Sequence, residues 1–390
     1  MNLVILVTNL NDCILIYQLV HIISYLGTTV MDGSDSTSSY YIDIAHRANK
    51  MGVCIDINSI NLSTNSVTIG TNKFGVVSKY SGGVLQYYIE SDINNIPQDL
   101  FRRISSDSLC FNTVLRIRTS ENFKAKHSFD RLVADPNVDN LYYIPSVDRF
   151  SSYSFDFDFT SSSGFDSYNT GAPFVQTAFK YNRYDRDSNT IKTYLRVMNQ
   201  QYNYSSSPVD LYANANTDVI LALLVNKLLR HCKVEGIEET RHLVNDWLVI
   251  VLADYNISLH DKNVKLSSTS IDTTFAKFPN LKHLSRLIFG LLNNTILKNP
   301  TFDDYWYYND HLYSGLPPKL LRACIYPNLS SYGAINHLSS QHLHLNFAAI
   351  TTSSCKIFLL DNYHNLYVYY YSKDMSSPDF SWPLPKDSKQ

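Results

Sequence analysis

The sequence predicts an α+β protein with a β-rich N-terminal half and long loops, a central helical block, and a C-terminal β-hairpin with an extended tail. Three observations carry this. Between about Tyr40 and Tyr204 the apolar residues fall in short β-branched or aromatic runs, several of them alternating. From Asn214 the period lengthens to that of an amphipathic helix, and after Ser330 it shortens again. The regions that follow are 1–39 for an apolar N-terminal helix and polar linker and 40–213 for the β-rich part. Residues 214–330 make the helical part, 331–375 the C-terminal strands and 376–390 a Pro/aromatic tail.

At the N-terminus, Leu15, Leu19, Ile22, Ile23 and Leu26 share one face of an amphipathic helix. Met1 to Val30 holds a single charged side chain, Asp12, and the first basic residue is Arg47, so the basic opening of a signal peptide is missing. A helix that packs on the protein or a partner ranks first. A membrane segment ranks second, because Asp12 in lipid costs about 2.5–3.5 kcal/mol. A third reading starts translation at Met31, ahead of the polar stretch Asp32–Ser39.

In the β-rich part, Val84–Ile89, Thr113–Arg118 and Tyr153–Phe159 have strand character, the last with Phe and Asp in strict alternation. Ser161-Ser162-Ser163-Gly164 typifies the connectors. Asp218–His231 is an apolar helix with Asn216, Thr217 or Asp218 as N-cap. Ile237–Tyr255 carries the clearest stripe, Val244, Trp247, Leu248, Val251, Leu252 and Tyr255, with Glu238 and Glu239 in the first turn. A third helix follows Pro279-Asn280 on Leu281, Leu284, Ile288, Leu291 and Leu292, and a short fourth runs from Pro317-Pro318 to Ile325. Cys355–Leu360 and Leu366–Tyr371 flank a five-residue loop and form a hairpin. The tail Ser376–Gln390 sets Pro378, Pro383 and Pro385 around Phe380 and Trp382, an arm suited to lying over a neighbour.

Composition narrows the function classes. The chain has 390 residues, 33 Lys+Arg against 35 Asp+Glu, and a net charge of −2. That balance argues against a dedicated nucleic-acid coat. The 44% hydrophobic content excludes a disordered chain and a polytopic membrane protein. Charged residues make only 17% of the chain, against about 25% in a typical soluble protein, and 29 tyrosines stand out. Tyrosine suits surfaces that are apolar on one side and wet on the other, as at interfaces, although AT-rich coding produces the same Asn, Ile and Tyr excess. Cys13, Cys54, Cys110, Cys232, Cys324 and Cys355 have neither zinc nor disulfide spacing and are expected as reduced thiols. The sequons at Asn61, Asn203, Asn256, Asn293 and Asn328 are no more than chance supplies in so Asn- and Ser-rich a chain.

Chemistry-bearing patterns are few. Gly70–Gly75 has the outer spacing of a phosphate loop without its Lys and Ser/Thr. Asp156 and Asp158 share one strand face and could pair on a metal, but Phe155, Phe157 and Phe159 opposite favour a solvated face. His342 and His344, with His337 nearby, make a metal-like cluster whose plainer reading is a polar strand face. Basic residues are densest at Arg102-Arg103, Arg116/Arg118, Lys124/Lys126 and Arg183/Arg186, a solvated strand face or subunit contact ahead of a nucleic-acid strip. No catalytic, cofactor or metal site emerges, and the expectation is a protein that is not an enzyme.

In size, mixed organisation, the helical stretches Ile220–Asn226 and Val244–Tyr255, and the segment Tyr308–Pro318, the chain resembles the clamp proteins of turreted reoviruses, of cypovirus or dinovernavirus type. The resemblance implies a virion subunit that cements the inner shell of a double-stranded RNA virus, found in host cytoplasm during assembly. Its implied partners are the major inner-capsid shell protein and neighbouring capsid subunits, with weak RNA contact, no small-molecule substrate, no cofactor and no membrane. Two alternatives stand beside it. One is a viral RNA-binding nucleoprotein using Arg102, Arg103, Arg116 and Arg118; the other is a secreted or membrane-tethered glycoprotein with residues 1–30 as signal segment.

Overall fold

A computed structural model describes residues 2–7, 36–61, 70–105, 109–121, 123–129, 131–160, 172–205, 208–260, 281–332, 340–353, 355 and 357–371. The chain is α+β and forms two compact units, Met1–Pro318 and Lys319–Gln390.

The first unit opens on strand β1 (Asn2–Val7), which runs parallel to strand β8 (Ser152–Phe159) further along the chain. The helical face expected from Leu15 to Leu26 lies outside the described residues, as does the tail 376–390. Next comes a small α/β segment: helix α1 (Ser36–Lys50), β2 (Ile57–Asn61), α2 (Thr71–Ser81), β3 (Leu85–Ile89), a 3₁₀ turn at Glu90–Asn95 and α3 (Ile96–Ile104). Strands β2 and β3 pair in parallel, with α2 as the crossover between them. Only β3 was expected. The sequence of α2 hides its helix, because Gly75 and three hydroxyl residues lower helix propensity. Gly75 is there for packing: a Cβ would stand 3.3 Å from the Leu85 side chain.

A β-sandwich follows. Strands β4 (Cys110–Thr119), β5 (Phe123–Phe129), β6 (Val133–Ala134), β7 (Leu141–Val147), β8 (Ser152–Phe159), β9 (Phe174–Asp185) and β10 (Thr190–Gln201) divide between two sheets. One has the order β1-β8-β5 and the other β10-β9-β4-β7-β6. Leu115, Ile117, Tyr142, Ile144, Phe155, Phe157, Val175 and Phe179 fill the space between them. The Phe half of the Phe/Asp alternation therefore faces the core, as period 2 dictates. Tyr142 and Phe155 meet across the sheets with ring centroids 5.5 Å apart.

The helical block comprises α4 (Pro208–Asn214), α5 (Thr217–Glu235), α6 (Ile237–His260), α7 (Leu284–Asn293), α8 (Thr295–Lys298) and α9 (Asp304–Tyr313). Of the three N-cap candidates for α5, Asn216 serves, its Oδ1 accepting from the amides of Asp218 and Val219 at 3.1 and 3.3 Å. Residues Ile220–Leu229 of α5 are buried without interruption, the mark of a helix covered on all sides. One flank of α5 lies over β8, and this changes the reading of the Asp pair. Asp156 is 8% exposed and pairs with the buried Lys227 ammonium at 3.0 Å, while Asp158 pairs with Lys126 at 2.8 Å. The face expected in solvent is a helix–sheet interface. In α6, Val244, Trp247, Val251 and Tyr255 of the expected stripe are buried.

The second unit begins within α10 (Pro318–Ile325) and builds a four-stranded antiparallel sheet. Its strands are β11 (Asn328–Tyr332), β12 (Ser340–Leu343), β13 (Ile357–Asp361) and β14 (Leu366–Tyr370), in the order β12-β11-β13-β14, with α11 (Phe347–Thr352) in the connection. The expected hairpin is β13–β14, closed by Asn362–Asn365.

Candidate protein-docking face

Most residues singled out in the sequence serve the fold. The phosphate-loop look-alike at Gly70 starts α2, and the Thr71 amide is already taken by the Asp304 carboxylate at 2.8 Å. His342 sits on β12 and shares a 3.2 Å hydrogen bond with the Ser330 hydroxyl; His344 lies just past the strand end and His337 outside the described residues. Among the described residues no three His, Cys, Asp or Glu side chains converge as metal ligands. Cys54, Cys110, Cys232, Cys324 and Cys355 are free thiols, and Cys13 lies outside the described residues. Burial raises the thiol pKa of Cys232 to about 11 and that of Cys324 to about 12, so neither is a ready nucleophile. Among the described residues no helix is long and apolar enough to cross a membrane.

The basic residues separate. Arg103 is bound by the Asp56 carboxylate at 3.0 Å and by Asp148 at 3.6 Å. Burial alone would raise the Asp56 pKa; the Arg103 guanidinium outweighs it and holds the carboxyl below its ordinary value. Arg116 and Arg118 instead project from the opposite side of β4 to the core residues Leu115 and Ile117.

The segment Tyr308–Pro318 turns out to hold a buried polar junction. Asp303 caps α9 by accepting from the Trp306 amide at 2.7 Å. Asp310 on α9 accepts from Lys79 of α2 at 3.4 Å and from Lys233 of α5 at 2.9 Å. Beside it, His311 Nε2 accepts from the Leu85 amide at 3.2 Å, and the Arg131 guanidinium donates to the His311 carbonyl. Complete burial, with Arg131 and Lys79 close by, drives the His311 pKa well below its ordinary value and keeps the ring neutral. This junction ties the α/β segment to the helical block, a structural role for the residues of Tyr308–Pro318.

Among the described residues, the open surface is the outer face of the five-stranded sheet toward β10. Cross-strand register lays Leu195, Lys180, Val114 and Tyr143 in one row, and Val197, Ala178, Arg116 and Leu141 in the next. A third row is stitched by side chains, Asn199 to Gln176 at 2.9 Å and Arg118 to Gln176 at 3.1 Å. At the sheet edge every residue of β10 is exposed, with Ile191 at 72% and Leu195 at 67%. A solvated antiparallel face is ordinarily polar. Here Leu195, Val197, Lys180 and Tyr143 are exposed with Val114, Ala178, Arg116 and Leu141 half-buried beside them, a mix of apolar and cationic groups that suits a protein-docking face. The signal lies in Ile191–Val197, where Lys192, Tyr194 and Arg196 alternate with Ile191, Thr193, Leu195 and Val197.

No family model matches the chain. The chain is 35% identical over 370 residues to the protein transport protein SEC23 D of Arabidopsis thaliana, a match that takes in 89% of this chain and 49% of that protein. It thus spans about half the length of the curated relative it matches. Among solved structures its fold is similar to that of the human COPII-coat protein Sec24c, with a TM-score of 0.67, 18% identity, and coverage of 84% of this chain and 40% of that one.

These two likenesses overturn the reovirus-clamp resemblance and what hung on it. The virion role, the inner-capsid shell protein as partner, the RNA contact and the location in virions or infected cytoplasm all fall. The nucleoprotein and glycoprotein alternatives fall with them. The physical reason is that size, low charge and mixed α/β order are properties of many assembly subunits, whereas residue-by-residue identity over nearly the whole chain is not.

Proposed function

We propose that the chain is a component of a protein-transport coat of the COPII kind, contributing the portion of such a subunit that SEC23 D shares with it. The 35% identity over 370 residues carries this reading, and the Sec24c-like fold supports it. The role fits a scaffold rather than a catalyst. Asp156, Asp310, Lys79, Lys227, Lys233 and Arg103 are engaged in ion pairs that hold elements together, and the open surface is of the kind that meets other proteins. The test is fractionation of cells that make a tagged form of the chain. It is expected to travel with the COPII coat through density and size separations; a tagged chain that stays wholly apart from the coat, while SEC23 D travels with it, overturns the reading.

A further inference from the structure

We propose that the free edge of β10 accepts an extended segment of a partner protein in which apolar and acidic residues alternate. The strand is twelve residues long, and among the described residues only β9 pairs with it, on one side. A strand added along its other side continues the ladder, and each added residue shares a face with the residue opposite it. One face of β10 offers Ile191, Leu195 and Val197, exposed by 72%, 67% and 53%. Residues of the added strand on that face are apolar.

The other face offers Lys192, Tyr194, Arg196 and Met198. Its charge is unbalanced. Lys192 stands directly across from Arg183 in the β9–β10 register, a like-charge pair that opposes the sheet. Asp185 binds Lys192, while among the described residues Arg183 and Arg196 make no ion pair. Arg196 donates through Nε to the Tyr181 hydroxyl at 3.1 Å, which leaves the end of its guanidinium for a carboxylate. An added strand with Glu or Asp opposite Lys192 and Arg196 supplies the missing negative charge. The edge then combines backbone pairing, an apolar row and charge complementarity, and period 2 fixes the alternation of the occupant.

The proposal does not depend on the coat reading, because the purified full chain is tested alone. A fluorescent heptapeptide alternating valine and glutamate is titrated by anisotropy against the chain, with a valine/lysine peptide as control. The valine/glutamate peptide is expected to bind, and to bind more weakly as salt rises. The double variant Lys192→Glu/Arg196→Glu should lose about tenfold in affinity for it and gain affinity for the lysine peptide. Leu195→Asp, at an exposed site that does not support the core, should also weaken binding while the circular dichroism spectrum is unchanged. Equal binding of both peptides, absence of binding, or unaltered affinity in the charge-reversed variant overturns the proposal. So does a dimer in sedimentation that Leu195→Asp abolishes, because a second copy then fills the edge.

Discussion

Lys227 is 3% exposed, held between α5 and β8 with the Asp156 carboxylate at 3.0 Å and the Phe129 ring at 5.7 Å. Burial pulls its pKa down, and Asp156 opposes that pull. A buried pair adds little net stability over an apolar one, yet removing one member strands the other. Lys227→Met is therefore expected to destabilise the fold by about 3–5 kcal/mol, and the double variant Lys227→Met/Asp156→Asn to recover most of it. Urea denaturation of the parent chain and the two variants checks the loss and the recovery. His311 gives the residue-scale pH dependence. Its folded pKa lies below the unfolded value of about 6.5, so the unfolded chain binds a proton that the folded chain refuses. Its contribution is complete above pH 6.5 and is lost as the pH falls from there toward the folded pKa, by at most about 1.4 kcal/mol per pH unit. His311→Asn should flatten the stability curve in that window, measured by urea midpoints from pH 7.5 down to 5.

At the scale of elements, the turn from α2 to β3 shows how backbone approach selects residues. Gly82 ends α2 at φ +73°, a left-handed conformation that glycine adopts without strain. Gly83 follows, and a Cβ there would overlap the Ile55 carbonyl carbon and oxygen. Gly83→Ala has to push β2 and β3 apart near their parallel pairing, and should cost about 1–3 kcal/mol, read as a lowered thermal midpoint. The pair sits in a stretch whose outline was only partly legible. The β13–β14 hairpin announces itself through β-branched and aromatic runs on either side of a polar loop, although β14 itself stays largely exposed. The helices on Asp218–His231, Ile237–Tyr255 and Pro318–Ile325 announce themselves through apolar runs or stripes that the fold buries. The helices α1, α2 and α9 do not, because polar contacts shape them. In α2 the buried side includes Thr71, Ser78, Lys79 and Ser81, and in α9 it includes Asp304, Asn309, Asp310 and His311. A buried charge pair looks like a solvated face until its partner is known. Asp156 was misjudged for that reason, since Lys227 lies 71 positions away. The candidate docking face escaped notice for the converse reason: alternation marks a strand, but only sheet order shows that β10 is an edge.

For the molecule as a whole, what matters about the scarce charges is where they are placed. Several act inside, as joints between segments, and Asp310 is the main one. Its carboxylate serves Lys79 from the α/β segment and Lys233 from the helical block at once. Asp304 binds the first amide of α2, and His311, about two turns further along the same helix, binds the β3 backbone. The α/β segment therefore leans on α9 through polar contacts where a larger domain would use an apolar core; its parallel sheet has only two strands among the described residues. Parallel strands owe most of their stability to cover on both faces. Asp310→Asn leaves two ammonium groups facing one neutral amide, with Lys79 8% exposed and unable to reach water freely. The expected cost is about 3–5 kcal/mol, and it should fall unevenly. Opening of α2 and β3 becomes cheaper, whereas α5 keeps its apolar burial from Leu221 to Leu229. Amide hydrogen exchange measures this directly. Residues 71–89 should lose protection in Asp310→Asn while residues 220–229 hold theirs; equal loss in both would show that the junction is one cooperative piece with the helical block.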